Sequence, residues 1–203
     1  TRSGFYAAFE RVYQMPLLEA WSDFAASFKI PGIIDNDDGM LTGDDCMILS
    51  VAAGTDRVFF LDRYTRRVYA LDPETGRSET VLKVDAESET IALSPDGTRL
   101  LVSGFRTRGS LVDAEVREYD VQTGKKTGRV WHDSTAAAYF RDGIVSLSRD
   151  GHASRLVYWE DPDTPRVLLS GSPELLFSNP VPLDASRIAV IAADRGIRSL
   201  WIY

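Results

Sequence analysis

The chain has 203 residues, room for one ordinary domain with an appendage, and 44% hydrophobic with 26% charged residues is a globular composition. Thirty acidic against 23 basic residues give a net charge of −7, which disfavours general binding to nucleic acid or to an anionic membrane surface. The single cysteine, Cys46, excludes an intrachain disulfide, and no run of about 18 apolar residues is present to cross a membrane.

Thr1-Arg2-Ser3-Gly4 lacks the character of a signal peptide, as expected of a mature or trimmed chain. Within residues 3–29, Phe5, Ala8, Phe9, Val12 and Tyr13 fall at helical spacing, as do Leu17, Leu18, Trp21, Phe24, Ala25 and Phe28. Pro16 suits the first turn of a helix, so two short helices, or one broken near Pro16, are expected. Their apolar stripes call for a cover, either the rest of the protein or a docked partner. Residues 35–45 hold Asp35, Asp37, Asp38, Asp44 and Asp45 with Gly39 and Gly43. Counted from Asp35, the twelve-residue calcium loop would need Gly at Met40 and Glu at Cys46, so a solvated acidic loop is expected instead. The expected organisation is a helical segment over 1–34, an acidic loop over 35–45 and β-structure over 46–203.

From residue 46 onward the chain repeats. Four turns rich in Asp, Gly or Ser each lead into an aliphatic run that reads as a buried strand: Gly54–Asp62, Ser94–Ser103, Arg141–Ser148 and Leu183–Ile191. With Val58, Leu100, Ile144 and Ile188 taken as equivalent, the steps are 42, 44 and 44 residues. A second landmark runs out of phase. Val68–Asp72 and Val116–Asp120 each enter an Asp-x-x-Thr-Gly hairpin turn, Val157–Asp161 enters a related one, and Leu200–Tyr203 reads as the same strand. Two landmarks at 41 to 48 residues match four short strands per unit, which is a propeller blade. The first blade is expected near 46–52, 57–62, 66–72 and 77–83, and later blades over 89–131, 135–170 and 174–203, the last lacking its fourth strand. The fold class is therefore mainly β, about four four-stranded antiparallel blades after a short helical segment.

Ser94-Pro95-Asp96-Gly97-Thr98-Arg99-Leu100 resembles the repeat of TolB-like propellers, whose blades carry a Ser-Pro-Asp-Gly-Lys/Arg turn before a strand. Pro182–Tyr203, with Ala193-Asp194-Arg195-Gly196, is similar to the rest of that repeat. The resemblance spans residues 46–203. It departs from the strict WD-repeat pattern, because no blade has the Gly-His and Trp-Asp pair. It implies an architecture and leaves activity open. It also implies a periplasmic or otherwise extracytoplasmic location.

Chemistry-bearing patterns are scarce. There is no Gly-x-Ser-x-Gly elbow, no Gly-x-Gly-x-x-Gly and no phosphate loop. His132 and His152 are the only histidines, too few with Cys46 for a dedicated zinc site. His132-Asp133-Ser134 contains triad residue types, but triad members meet through the fold and not by adjacency. Cys46, before Met47-Ile48-Leu49, reads as a buried strand residue. The basic cluster Arg57, Arg63, Arg66 and Arg67 is interrupted by Asp56 and Asp62 and reads as a solvated face. Trp131, Trp159, Trp201, Tyr69, Tyr119 and Tyr158 are expected mainly in the core between blades, with a binding platform at the channel as the other role.

The functional expectation is a non-catalytic propeller module that recognises a protein or peptide, with no catalytic residue, metal or cofactor identified and no ligand-binding residue assigned. The alternative is the propeller of an enzyme, a prolyl oligopeptidase-like hydrolase, a lyase or a quinoprotein, whose catalytic residues are not identifiable in this chain. For closure, Ile30-Pro31-Gly32-Ile33-Ile34 would serve as an outer fourth strand, since Pro31 suits an edge. Otherwise another segment or subunit completes the propeller, the preferred reading because four blades are the floor of the usual range.

Overall fold

A computed structural model describes residues 9–16, 19–20, 46–85, 87–108 and 111–203. The chain forms two compact units, Thr1–Met40 and Leu41–Tyr203. In the first, residues 9–13 are helical, and the rings of Phe9 and Tyr13, four residues apart, lie 4.5 Å centre to centre. Gln14 then turns left-handed at φ 56°, before Pro16. The Ala20 N–H donates to the Pro16 carbonyl, so Pro16 opens a new helical turn, as its position suggested. Leu17, Leu18, Trp21, Phe24, the strand candidate Ile30–Ile34 and the acidic loop lie outside the described residues.

The second unit is mainly β. Its strands are β1 (Ile48–Ala53), β2 (Val58–Asp62), β3 (Arg67–Leu71), β4 (Ser78–Lys83), β5 (Ser88–Leu93), β6 (Arg99–Arg108), β7 (Leu111–Asp120), β8 (Lys126–His132), β9 (Ser134–Phe140), β10 (Gly143–Asp150), β11 (Ala153–Trp159), β12 (Pro165–Ser170), β13 (Leu175–Pro182), β14 (Ile188–Asp194) and β15 (Ile197–Ile202). They pair antiparallel in chain order as β1–β4, β5–β8, β9–β12 and β13–β15, hereafter blades 1 to 4. This is the expected propeller arrangement, and among the described residues the fourth blade has three strands.

The turns that end the strands carry the chemistry their sequences suggest. Asp72 accepts from the N–H of Glu74 (2.9 Å) and the hydroxyl of Thr75 (2.7 Å), and Asp120 accepts likewise from Thr123. Gly124, at φ 64°, is required twice over: a Cβ there would also sit 2.5 Å from the Val81 carbonyl oxygen.

The first strands of successive blades lie side by side, β1 against β5, β5 against β9 and β9 against β13, so they surround the axis. Each blade then presents one apolar face to the next. Phe59, Leu61 and Val68 meet Ile91, Leu100 and Val102 between blades 1 and 2. Leu101, Val116 and Trp131 meet Ile144, Val157 and Trp159 between blades 2 and 3. Val145, Leu156 and Tyr158 meet Phe177, Ile188 and Val190 between blades 3 and 4. Removal of this apolar area from water stabilises each boundary. Leu100, Ile144 and Ile188, taken from the sequence as equivalent, each face the preceding blade and are fully buried. Val58 is only half-buried, since among the described residues no blade packs before blade 1.

The register corrects one landmark. Arg99 pairs with Asp120 and Ile144 with Trp159, so the position equivalent to Asp120 in blade 3 is Glu160, one residue before Asp161.

Candidate functional site

Each of the four axial strands carries one irregularity. Pairing shifts at Leu49 in β1, Glu89 in β5, Ala136 with Ala137 in β9, and Asn179 with Pro180 in β13. A bulge leaves its extra residue out of the ladder and re-aims the side chains beside it. Ala136 sits at φ 47° and Asn179 at φ 50°, and Asp133, just before β9, at φ 54°. Asn and Asp tolerate this left-handed conformation, whereas for Ala it is a strain that the surrounding structure must hold.

These residues come together. Glu89, Asp133, Ala136 and Asn179 line one cavity of about 480 Å³, where the axial strands of blades 2, 3 and 4 converge. The hairpin of β6 and β7 supplies the apolar wall, with Phe105 and Val112 both exposed. Arg149 adds a cation, and Thr90 and Thr135 add hydroxyls. The Thr90 hydroxyl is buried without a hydrogen-bond partner among the described residues. Gly104 lets the hairpin approach, since a Cβ there would lie 2.4 Å from the Glu87 carbonyl oxygen. The site therefore offers carboxylates, a guanidinium, neutral hydrogen-bonding groups and an apolar wall in one concavity.

Two buried polar clusters lie on the two faces of β7, the first of them next to Gly104 and Phe105 of the cavity. Arg117 pairs with Glu115 at 2.7 Å, both buried, and Arg106 reaches the same carboxylate oxygen at 3.8 Å. Beside them, burial pushes the Tyr119 phenol up to about 12, with the charges of Asp85 and Glu115 adding to the rise. On the other side of β7, buried Glu118 accepts from the Tyr139 hydroxyl (3.1 Å) and the Thr127 hydroxyl (2.8 Å). Burial, then the Glu118 charge, raises Tyr139 well above the usual phenol range.

The residues singled out in the sequence fall elsewhere, apart from Asp133. His132 is exposed, while the Ser134 hydroxyl is buried and accepts from Ser146, so this trio is not arranged as a relay. Cys46 is half-buried and precedes β1 instead of lying within a strand. Arg57 is paired with Glu79, and Arg63, Arg66 and Arg67 are exposed. Trp131, Trp159, Tyr119 and Tyr158 are buried in the cores between blades. Tyr69 is half-buried and stacks on Phe60, and Trp201 is partly exposed with its ring edge-on to Phe177. None of these six aromatics lines the cavity. Among the described residues no group of three or more His, Cys, Asp and Glu is placed to hold a metal ion. No described helix is long and apolar enough to cross a membrane.

Comparison with known structures places the fold. An acylaminoacyl peptidase from Pyrococcus horikoshii matches 77% of this chain with a TM-score of 0.59 at 16% identity, over 30% of its own length. TolB from Acinetobacter baumannii matches 80% of the chain with a TM-score of 0.53 at 19% identity, over 44% of its length. The β-propeller domain of the Trilobed protease from Pyrococcus furiosus matches 77% with a TM-score of 0.52 at 17% identity, over 53% of its length. The likeness is one of fold. The chain thus spans about three-tenths of the peptidase and about half of the propeller domain. No family model matches the sequence, and no curated protein matches it.

Proposed function

We propose that this chain is a non-catalytic binding module of the TolB-like propeller type, and that it takes a segment of a protein or peptide partner into the axial cavity. The observation that carries the reading is the convergence of three bulges: Glu89, Ala136 and Asn179, from three consecutive axial strands, line one concavity with the exposed Phe105 and Val112. A polypeptide is the ligand class that uses such a lining. Its amides match Asn179, Thr90 and Thr135, its charged side chains match Arg149 or the pair Glu89 and Asp133, and its apolar side chains match the hairpin wall.

The test is selection of peptides from a displayed library against the chain, followed by titration of the selected peptides. Binding is expected to weaken at least tenfold in Phe105→Ser and in Arg149→Glu, with unchanged circular dichroism. Two outcomes would overturn the reading: selected peptides indifferent to both substitutions, or peptides cleaved or otherwise turned over by the purified chain, which would point to the enzyme alternative.

A further inference from the structure

The three boundaries between blades can be compared position by position. On the third strands, Ala70 pairs with Phe59, Glu118 with Leu101 and Tyr158 with Val145, so Ala70, Glu118 and Tyr158 correspond. On the facing axial strands, Leu93 pairs with Leu100, Tyr139 with Ile144 and Pro182 with Ile188, so Leu93, Tyr139 and Pro182 correspond. Between blades 2 and 3 the two positions hold Glu118 and Tyr139, hydrogen-bonded to each other. Between blades 3 and 4 they hold Tyr158 and Pro182, and the Tyr158 hydroxyl donates to Asp142. Between blades 1 and 2 they hold Ala70 and Leu93, and both line a cavity of about 560 Å³. Tyr119, elsewhere in the same boundary, lies beside Asp85 and Glu115 and does not line it.

This cavity lies at the opposite end of β5 from the axial one, since Leu93 lines it while Glu89 and Thr90 line the other. Phe59, Ala70 and Leu93 form its apolar floor, the first two buried. The turn between β7 and β8 closes one side, where Gly124 packs on Val81. The rim is acidic: Asp56, Glu79 and Asp96 stand against Arg57 alone, which is paired with Glu79. Hydrogen bonds from Ser94 and Thr98 fix the Asp96 carboxylate in place. The cavity at the next boundary, about 530 Å³, has the polar pair Glu118 and Tyr139 in its lining and two arginines, Arg99 and Arg129, so it shares neither the apolar floor nor the acidic rim.

We infer that the cavity between blades 1 and 2 is a second binding site, for a small aromatic amine. Its ring takes the place that tyrosine side chains fill at the other two boundaries, and its ammonium meets Asp56 and Asp96. The volume suits a ligand of that size. Burial of the ring against Phe59, Ala70 and Leu93 supplies affinity, and the excess of carboxylates selects a cation over a neutral or anionic compound.

Tyramine is the probe, titrated into the intact chain by calorimetry. Saturable binding is expected. It should be at least tenfold weaker for 3-(4-hydroxyphenyl)propionate, which carries a carboxylate in place of the amine, and for n-butylamine, which lacks the ring. Asp56→Lys, on an exposed turn, should weaken tyramine binding at least tenfold. Ala70→Leu should do the same by filling the floor, with unchanged circular dichroism; if that variant does not fold, Asp56→Lys decides alone. Phe105→Ser in the axial cavity should leave tyramine binding unchanged. The inference is overturned if tyramine does not bind saturably, if the acid or the ringless amine binds as well, or if either Asp56→Lys or a folded Ala70→Leu binds as the parent does. Loss of binding in Phe105→Ser also overturns it, since that would place the amine in the axial cavity.

Discussion

One serine hydroxyl spans each boundary between blades. Ser50 Oγ accepts from the Ile91 N–H (3.1 Å), Ser103 Oγ from the Ala137 N–H (3.2 Å) and Ser154 Oγ from the Phe177 N–H (2.6 Å). Each N–H belongs to an axial strand of the following blade. Removing the hydroxyl leaves a buried donor unpaired, which costs about 1–3 kcal/mol. Ser154→Ala should therefore lower unfolding free energy by that amount, whereas Ser78→Ala, on an exposed strand face, should change it by less than about 0.5 kcal/mol in denaturant titration. Nothing in the sequence marks these serines, because a lone Ser in a strand is ordinary and its partner comes from another blade. The large apolar residues were legible. Leu100→Ala, Ile144→Ala and Ile188→Ala should each cost about 2–5 kcal/mol. Val58→Ala should cost about 1 kcal/mol, at roughly 0.8 kcal/mol per buried CH2 on a half-buried side chain. Equal losses at all four would contradict the half-buried position of Val58.

The strands were readable because their ends are written in local chemistry. Asp-x-x-Thr-Gly after β3 and β7, and Ser-Pro-Asp-Gly before β6, fix turns by side-chain hydrogen bonds that need no distant partner. The bulges that build the cavity have no such signature, since a bulge is a mismatch between two strands and belongs to neither alone. Phe105 and Val112 were missed for a related reason: the length of the β6–β7 hairpin depends on pairing out to Arg108 and Leu111. The turn carboxylates make acid sensitivity an element-level property. Burial alone would raise the Asp62 carboxyl, but hydrogen bonds from the Thr65 hydroxyl and from the Met47, Tyr64 and Thr65 amides outweigh it and hold it below the usual value. Asp72, Asp96 and Asp120 are held low mainly by their turn hydroxyls, from Thr75, Ser94 and Thr123. A depressed folded-state pKa contributes stability above the unfolded pKa, about 3.9, and loses it as pH falls through the folded value. Stability should thus fall as the solution is taken below about pH 5, and Asp62→Asn should flatten that slope while lowering stability at pH 7. An unchanged slope in the variant would assign the acid loss to other groups.

At the scale of the whole molecule, burial holds one tyrosine neutral at each boundary between blades. Tyr119 lies in the core between blades 1 and 2, Tyr139 against the core between blades 2 and 3, and Tyr158 in the core between blades 3 and 4. Burial leads the rise in all three phenols, to about 12 for Tyr119 and Tyr158, the latter also donating to Asp142 at 2.6 Å. That these rings sit between blades was legible for Tyr119 and Tyr158 from the strand pattern. The contact of Tyr139 with Glu118 was not, since those two residues stand on different blades. A raised folded-state pKa contributes stability that is complete below the unfolded value, near 10, and disappears as pH rises through the folded one. The propeller should therefore hold to about pH 10 and lose stability progressively toward pH 12. Absorbance at 295 nm should show a late population of tyrosines that ionises only as the far-ultraviolet β signal collapses. Tyr139→Phe removes one ionisation together with one hydrogen bond to Glu118, so it should shrink the late population while shifting the alkaline midpoint upward relative to its own stability at pH 7. A single titration near pH 10 with the β signal intact would show that the phenols are open to solvent, and that the blades do not pack on one another as described.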